Sequence, residues 1–245
     1  STQGYSSAAS DVYKRQEKSY LRIYRYMKGA VHMSKPLVIT IGREYGSAGR
    51  EIGRKLAADM GIKCYDKELL ALASKESGMC EELFHNHDEK PTNSFLYSLV
   101  MDTYSMGYST SSFIDMPLNH KVFLAQFDAI KKLADTESCI IVGRCADYAL
   151  EEHDNTIKVF IKAQMDAKVA RIKRLYGYTD EKAKDLCIKT DKKRANYYNY
   201  YSSKKWGDSK SYDLCIDSSI LGVDGTVELL KQYIKTRQEY AGGTI

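Results

Sequence analysis

Near its amino end the chain carries the stretch Leu37-Val-Ile-Thr-Ile-Gly-Arg-Glu-Tyr-Gly-Ser-Ala-Gly-Arg-Glu-Ile-Gly53. The apolar, mostly β-branched run at residues 37–41 predicts a buried strand, and the glycine-bearing segment at 42–49 predicts a loop. Apolar residues then recur at helical spacing: Ile52, Leu56, Ala57 and Met60. A loop between a strand and a helix directs backbone N–H groups and the positive end of the helix dipole toward one point. The stretch therefore predicts a phosphate-binding site.

This loop matches the phosphate-loop pattern G-x-x-x-x-G-K-[ST] only in part. Aligning Gly49 and Arg50 with the G-K pair places Glu51 at the hydroxyl residue that normally meets Mg²⁺. Arg50 replaces the lysine as a fixed cation with forked donors, but Glu51 cannot copy a serine hydroxyl. The small residues let the backbone approach a phosphate closely: Gly46, Ser47, Ala48 and Gly49. The alternative is a glycine-rich turn that binds no ligand.

Composition limits the classes of protein that fit. With 245 residues, 43% of them hydrophobic, the chain holds one α/β domain with an insertion, or two small domains. The net charge of +5 follows no continuous basic stripe, which favours a small anionic ligand over nucleic acid. No apolar run approaches the roughly 20 residues of a membrane helix. The six cysteines include no C-x-x-C pair, which predicts reduced thiols in a cytoplasmic protein.

The segments outside the first motif predict the domain limits and the fold class. Residues 1–32 are expected to be an N-terminal extension, either disordered or a gene-calling artefact, since Met33 is a natural start; the alternative is a basic arm that docks on a partner. Residues 33–240 form the domain. Further strands are predicted at residues 62–66, 138–143, 157–161 and 212–216, and helices at 67–77, 118–137, 166–176, 179–205 and 223–240. This alternation predicts an α/β fold with a parallel central sheet between two helical layers.

Five segments, taken in order, resemble the cytidylate kinase-like branch of the nucleoside monophosphate kinases. They are residues 41–53, Tyr65-Asp-Lys-Glu-Leu69, Ile141-Val-Gly-Arg-Cys-Ala-Asp147, Asp191-Lys-Lys-Arg-Ala-Asn-Tyr-Tyr198 and Trp206-Gly-Asp-Ser-Lys-Ser-Tyr-Asp-Leu214. The resemblance implies a three-layer P-loop kinase fold, with a helical insertion that binds the nucleoside monophosphate at about 79–117 and a lid at about 171–205. It also implies ATP with Mg²⁺, and CMP or a related nucleotide as the phosphoryl acceptor.

The resemblance assigns roles to the residues around the first loop and the third strand. Arg50 and the loop residues 46–49 hold the donor phosphates. Arg144 matches the arginine of a Gly-Arg-Asp motif that holds the acceptor monophosphate. Cys145 stands where that motif has its aspartate, and Asp147 compensates for it in part.

Roles on the last helices are implied in the same way. Arg171 and Arg174 resemble lid arginines that close over ATP, while Asp191 orients Arg194 toward the transferred phosphoryl group. The alternative for each is an ordinary solvated helix surface. For Arg144, at the end of a buried strand, a partner such as phosphate is favoured.

Alternatives remain open for two site assignments and for the function. Asp66 either contacts the acceptor base or ribose, or caps the helix that follows it. A tyrosine-rich group either stacks on a base or fixes the lid helix to the core: Tyr197, Tyr198, Tyr200, Tyr201 and Trp206. The sequence indicates neither a Mg²⁺ ligand nor the oligomeric state. A kinase for another small acceptor and a non-catalytic nucleotide-binding protein remain as alternative functions.

Overall fold

The computed structural model describes residues 36–66, 68–78 and 117–240. The predicted N-terminal extension, and all of the predicted insertion except its last residue, lie outside this part of the chain. The described elements are β1 (Val38–Arg43), α1 (Gly49–Met60), β2 (Lys63–Tyr65), α2 (Glu68–Ser77), α3 (Leu118–Thr136), β3 (Cys139–Val142), α4 (Ala146–Ala149), β4 (Thr156–Lys162), α5 (Met165–Tyr176), α6 (Asp180–Ser202), a 3₁₀ turn (Ser209–Ser211), β5 (Leu214–Asp217) and α7 (Ser218–Tyr240).

The five strands form one parallel sheet in the order β2-β3-β1-β4-β5. β1 lies in the middle, where Ile41 pairs with Val142 of β3 on one side and Val159 of β4 on the other. Because all strands run the same way, the segments that follow β1, β2 and β3 emerge at the same edge of the sheet. This edge is where ligands of open α/β sheets bind.

Helices cover both faces of the sheet, as the alternating pattern predicts. Ile39 and Ile140 point to the face covered by α1 and α7, where Leu56 and Leu230 are fully buried. Val38 and Cys139 point to the other face, which packs against α2, α3, α4 and the second half of α6. Successive side chains of β1 and β3 therefore enter different cores, and these strands are apolar throughout because both of their faces are buried.

The predicted elements are confirmed, with shifts at their ends. The Thr179 hydroxyl accepts a hydrogen bond from Lys182 N and caps α6, as predicted. α6 ends at Ser202, before the predicted residue 205, because Ser203 adopts a left-handed conformation with φ 54°. α7 begins at Ser218, earlier than predicted, and contains a non-helical Gly222 with φ 65°. No helix in the described ranges combines the length and apolar character needed to cross a membrane.

Candidate functional site

A cavity of about 540 Å³ lies at the carboxyl edge of the sheet. Its wall brings together the first loop, the start of α1, the ends of β2 and β3, and helices α5 and α6. Six arginines and three carboxylates line it, together with small loop residues and an apolar end: Arg43, Glu44, Tyr45, Gly46, Ala48, Gly49, Arg50, Glu51, Arg54, Asp66, Arg144, Arg171, Ile172, Leu175, Tyr176 and Arg194. The excess of arginine makes the cavity suited to a polyanion.

The loop between β1 and α1 is held in a conformation that small residues permit. Gly46 has φ 84°, and a Cβ atom there would lie 3.0 Å from Cβ of Lys168. Ala48, the N-cap of α1, has φ 61° and makes no side-chain capping hydrogen bond. Alanine has no side-chain acceptor, so Ala48 does not cap the N–H groups of the first turn of α1. Such N–H groups at a helix start can bind an anion.

The predicted loop residues divide into two groups. Gly46, Ala48, Gly49 and Arg50 line the cavity, whereas Ser47 is buried. The Ser47 hydroxyl donates to Glu44 O at 2.9 Å, and Ser47 O accepts from the Ser218 hydroxyl at 2.7 Å. The Ser47 side chain therefore forms a hydrogen bond within the loop, and the Ser47 backbone connects the loop to α7.

Asp66 joins the two arginines that the family resemblance assigns to the two substrates. Its Oδ1 lies 2.6 Å from Arg144 Nη1 and its Oδ2 lies 2.5 Å from Arg50 Nε. Burial opposes ionisation of this carboxyl, but the charge and hydrogen bond of Arg144, with the charges of Arg43 and Arg50, outweigh it and lower its pKa. The carboxylate thus bonds to arginines, and the helix-capping alternative finds no support in these contacts.

Arg144 is buried, with a side chain only 3% exposed. It follows β3 in a turn where Gly143, Arg144 and Cys145 all have positive φ values, 80°, 54° and 55°. Its Nη1 also donates to Val142 O at 3.1 Å. This buried charge has a partner within the chain, the carboxylate of Asp66, and phosphate binding by Arg144 stays a prediction.

Arg43 lines the cavity although the sequence reasoning does not select it. Its guanidinium lies directly on Gly143, where a Cβ atom would stand 2.0 Å from Nη1. A signal is present, because Arg43 ends β1 just as Arg144 follows β3. A charge at the end of a buried parallel strand is the same criterion that selects Arg144.

The two predicted lid arginines of α5 differ in position. Arg171 lines the cavity and forms an ion pair with Glu51. Arg174 is exposed and is not among the lining residues. Glu51, at the position of the usual hydroxyl, therefore bridges α1 to α5 through its carboxylate.

Asp191 and Arg194 of α6 both reach the first loop. Asp191 Oδ1 accepts from Tyr45 N at 2.6 Å, and its Oδ2 lies 2.6 Å from Lys168 Nζ. Arg194 Nη1 donates to Arg43 O at 3.3 Å, and its guanidinium lies 5.7 Å from the centre of the Tyr45 ring. These contacts of the Asp191 carboxylate are to the loop and α5, and orientation of Arg194 by this acid stays a prediction.

Lys168 is a buried cation that the sequence shows only as a basic position of its helix. Its side chain is 5% exposed and contacts Asp191 and Glu44. Burial disfavours the charged amine, but the two carboxylates outweigh burial and raise its pKa. The available signal is its spacing, since Lys168 lies one helical turn before Arg171.

Asp147 lies apart from the large cavity. It borders a neighbouring space of about 20 Å³ with Cys145 and Tyr198, and its carboxylate accepts from the Tyr198 hydroxyl at 2.6 Å. Burial raises the pKa of this carboxyl, against the opposing effect of that hydrogen bond. Compensation for the missing aspartate at Cys145 remains a prediction.

The tyrosines of α6 serve the core. Tyr197, Tyr198 and Tyr201 are buried, and the Tyr201 ring stacks on Phe123 at 3.9 Å between centroids. Trp206 packs edge-on against Phe160 at 5.2 Å. The alternative in which these residues fix the helix to the core is confirmed.

The acids of the site do not form a dedicated metal centre. Among residues 36–66, 68–78 and 117–240, no three His, Cys, Asp or Glu side chains are grouped as a protein metal site requires. Glu51 and Asp66 supply carboxylate oxygens at the cavity, and both are in ion pairs with arginine.

The sequence profile of the cytidylate kinase-like family matches residues 38–220, more than half of the chain. The chain belongs to the cytidylate kinase-like family. Its family membership and its strand order identify its fold as the three-layer α/β fold of P-loop kinases, as predicted.

Relatives in this family and one solved structure are similar over most of the chain. A cytidylate kinase of Pyrococcus furiosus is 26% identical over 200 residues, covering 81% of this chain and 88% of the relative. A cytidylate kinase of Methanopyrus kandleri is 24% identical over 207 residues, covering 81% and 93%. The crystal structure of an uncharacterized protein from Eubacterium ventriosum is 30% identical, with a TM-score of 0.60, and covers 82% of this chain and 99% of that one.

Proposed function

We propose that this chain is a nucleoside monophosphate kinase that transfers the γ-phosphoryl group of ATP to CMP or a related nucleotide. The observation that carries the proposal is the meeting of Arg50 and Arg144 on the single carboxylate of Asp66. One arginine opens the helix after the glycine loop and the other follows a neighbouring strand. Two phosphate-bearing substrates that react in line need cations from two such directions.

The remaining side chains match what phosphoryl transfer asks of a protein. The protein places both substrates and neutralises the charge on the moving group, with little covalent chemistry of its own. Arg50 and the loop amides at 46–49 would hold the donor phosphates, and Arg144 would hold the acceptor phosphate. Arg171 and Arg194 approach from α5 and α6 and would bind the transferred group. Arg174, exposed on α5, would join them only after movement of that helix.

ATP and its metal ion are expected as one ligand. The cavity volume of about 540 Å³ lies in the usual range for small-molecule sites, and its apolar end at Ile172, Leu175 and Tyr176 offers a surface for a nucleobase. Mg²⁺ commonly takes one or two carboxylates together with substrate phosphates and water. Glu51, whose side chain is half-exposed at the cavity, would fit this role, whereas both oxygens of Asp66 are paired with arginines. When bound, the ion would neutralise phosphate charge.

The residues around Arg144 bear on the identity of the acceptor. Cys145 replaces the acid of the Gly-Arg-Asp motif, and Asp147 is bonded to Tyr198 beside a much smaller space. These two observations favour, as a second candidate, a kinase of the same fold whose acceptor carries phosphate but no cytosine.

A coupled assay of ADP release separates the candidates. Purified chain is mixed with ATP, Mg²⁺ and one acceptor at a time, using CMP, dCMP, UMP, AMP and phosphorylated non-nucleotides. Release that depends on CMP or another nucleoside monophosphate supports the first candidate. Release only with a non-nucleotide acceptor supports the second, and nucleotide binding without any release would leave a regulatory binding protein.

A further inference from the structure

Lys168 joins three separate segments beside the cavity. It lies in the first turn of α5, and its side chain is 5% exposed. Its Nζ is 2.6 Å from Asp191 Oδ2 of α6 and 3.2 Å from Glu44 Oε2 of the loop. We call Glu44, Lys168 and Asp191 the Lys168 cluster. Lys168 itself is not among the residues that line the cavity.

Both acids of the cluster also hold backbone amides. Asp191 Oδ1 accepts from Tyr45 N at 2.6 Å, and Glu44 Oε2 accepts from Ala163 N at 3.1 Å. Glu44 N in turn donates to Ile161 O at 3.0 Å. The backbone N–H groups of Tyr45 and Ala163 are therefore held by two carboxylates that both pair with the Lys168 ammonium group.

The next loop residue rests on the same lysine. At Gly46 a Cβ atom would lie 3.0 Å from Lys168 Cβ, 3.2 Å from its Cα and 3.2 Å from its O. Gly46 begins the small-residue segment that faces the cavity. The position of the phosphate-facing loop is thus set both by packing on Lys168 and by the acids that Lys168 neutralises.

A buried ion cluster of this kind contributes little to net stability, because the attraction mainly offsets the loss of hydration. Its stronger effect is on geometry, because each acid would lose its buried cationic partner if the loop, α5 or α6 shifted. Asp191 lies one turn before Arg194 on α6, and the Arg194 guanidinium donates to Arg43 O in the same part of the chain.

We propose that Lys168 is a positioning residue that fixes the donor-phosphate loop and the middle of α6, at Asp191, in the arrangement needed for ATP. The inference rests on the proposed kinase function. Lys168 touches neither substrate; it acts through the backbone of residues 44–46 and through Asp191. Displacement of a binding group by about 1 Å lowers rates by about 100-fold.

The test uses Lys168→Met, which keeps most of the aliphatic stem, with Lys173→Met as the matched control. Lys173 lies on the same helix, is exposed and pairs with Asp180. We expect Lys168→Met to lower kcat/KM for ATP by about 10- to 100-fold, with the acceptor KM changed less than about twofold. The control should retain wild-type values.

A second test measures kcat/KM for ATP in Asp191→Asn and in the double variant that combines it with Lys168→Met. The asparagine side chain would keep an oxygen for Tyr45 N and lose the charge facing Lys168. Because both single variants break the same ion pair, we expect the double variant to lose about as much as the worse single variant, without adding the two losses. This measurement holds even where Lys168→Met folds poorly, since Asp191→Asn alone must lower kcat/KM for ATP.

The outcomes separate this inference from the function on which it rests. An active wild type with unchanged ATP kinetics in Lys168→Met and Asp191→Asn overturns the role of Lys168 and leaves the kinase function standing. A rise in the acceptor KM as large as the rise in the ATP KM also overturns it. So do losses of kcat/KM that add in the double variant. A wild type that neither releases ADP nor binds a non-hydrolysable ATP analogue by calorimetry overturns both proposals.

Discussion

Asp66 Oδ1 lies 2.6 Å from Arg144 Nη1, and both side chains are at least nine-tenths buried. The pair joins the end of β2 to the turn after β3 at the edge of the sheet where the cavity opens. Through its other oxygen Asp66 also holds Arg50. The arginines proposed for donor and acceptor thus share one anion, which keeps both charges in place before phosphate arrives.

Replacing Asp66 by asparagine should destabilise the fold, because the buried Arg144 loses its carboxylate. Removing one partner of a buried ion pair costs about 3–5 kcal/mol, which urea unfolding measures. The matched control is Asp224→Asn, whose carboxylate is exposed and pairs with Lys55; an exposed pair contributes below about 1 kcal/mol. Equal effects of the two substitutions would contradict the importance of the buried pair.

The same substitution should change the pH dependence of stability. The arginines hold the pKa of Asp66 below its ordinary 3.8 in the folded chain. Its contribution is therefore complete above pH 3.8 and is lost as the pH falls from 3.8 through the folded pKa. We expect the difference in unfolding free energy between wild type and Asp66→Asn to be constant at neutral pH and to narrow below pH 3.8. A difference that widens there would show the wrong sign.

Arg50→Ala should lower turnover by about 10³-fold, because a fixed cation on the transferring phosphates is worth that much or more. Its side chain is partly exposed, so the fold should survive, as circular dichroism would show. Lys55→Ala, on the same helix and away from the cavity, should keep wild-type activity. Wild-type turnover in the Arg50 variant would remove this residue from the donor site.

Gly143→Ala tests Arg43. The new Cβ would stand 2.0 Å from Arg43 Nη1, so the guanidinium has to leave its place. The control is Gly61→Ala, which has a similar positive φ of 65° but no atom within 4 Å of the new Cβ. Backbone strain should cost both variants about 1–3 kcal/mol, and only Gly143→Ala should lose kcat/KM, by about tenfold or more. Equal activities would show that the place of Arg43 is unimportant.

Asp147→Asn should remove a loss of stability that sets in as the pH rises above 3.8, the ordinary pKa of this carboxyl. Burial raises the pKa of Asp147 in the folded chain, so the unfolded chain releases its proton first and the fold weakens as the pH rises through the folded value. Asparagine keeps an oxygen for the Tyr198 hydroxyl and has no charge to bury. Urea unfolding from about pH 4 to about pH 8 should show a flatter profile for the variant, and a steeper decline than in the wild type would contradict this account.

The sequence predicts the elements well because their signals are local. The apolar strand at residues 37–41, the spacing of Ile52 and Leu56, and the Thr179 cap each depend on neighbours within a turn or two. The end of α6 is not predicted correctly from the sequence. The helix ends because Ser203 adopts a left-handed conformation, which serine rarely does.

The site is predicted only in outline, since its contacts join distant segments. Strand ends indicate that Asp66 and Arg144 converge, but the bond between them depends on β2 and β3 being neighbours in the sheet. The residues around Lys168 are typical of an exposed lysine on a helix. Lys168 is buried only because α5 packs against the loop and α6. Ser47 matches a phosphate-binding residue by type, and its hydroxyl is instead used within the loop.

The most direct measurement is a crystal structure with adenosine and cytidine joined through five phosphates, a mimic of both substrates in line. The account predicts phosphates in the cavity between the loop at residues 46–49, Arg50 and Arg144, with Arg171 or Arg194 on the central group. Phosphates bound elsewhere, with the cavity unchanged and the pair between Asp66 and Arg144 remote from the ligand, would contradict it.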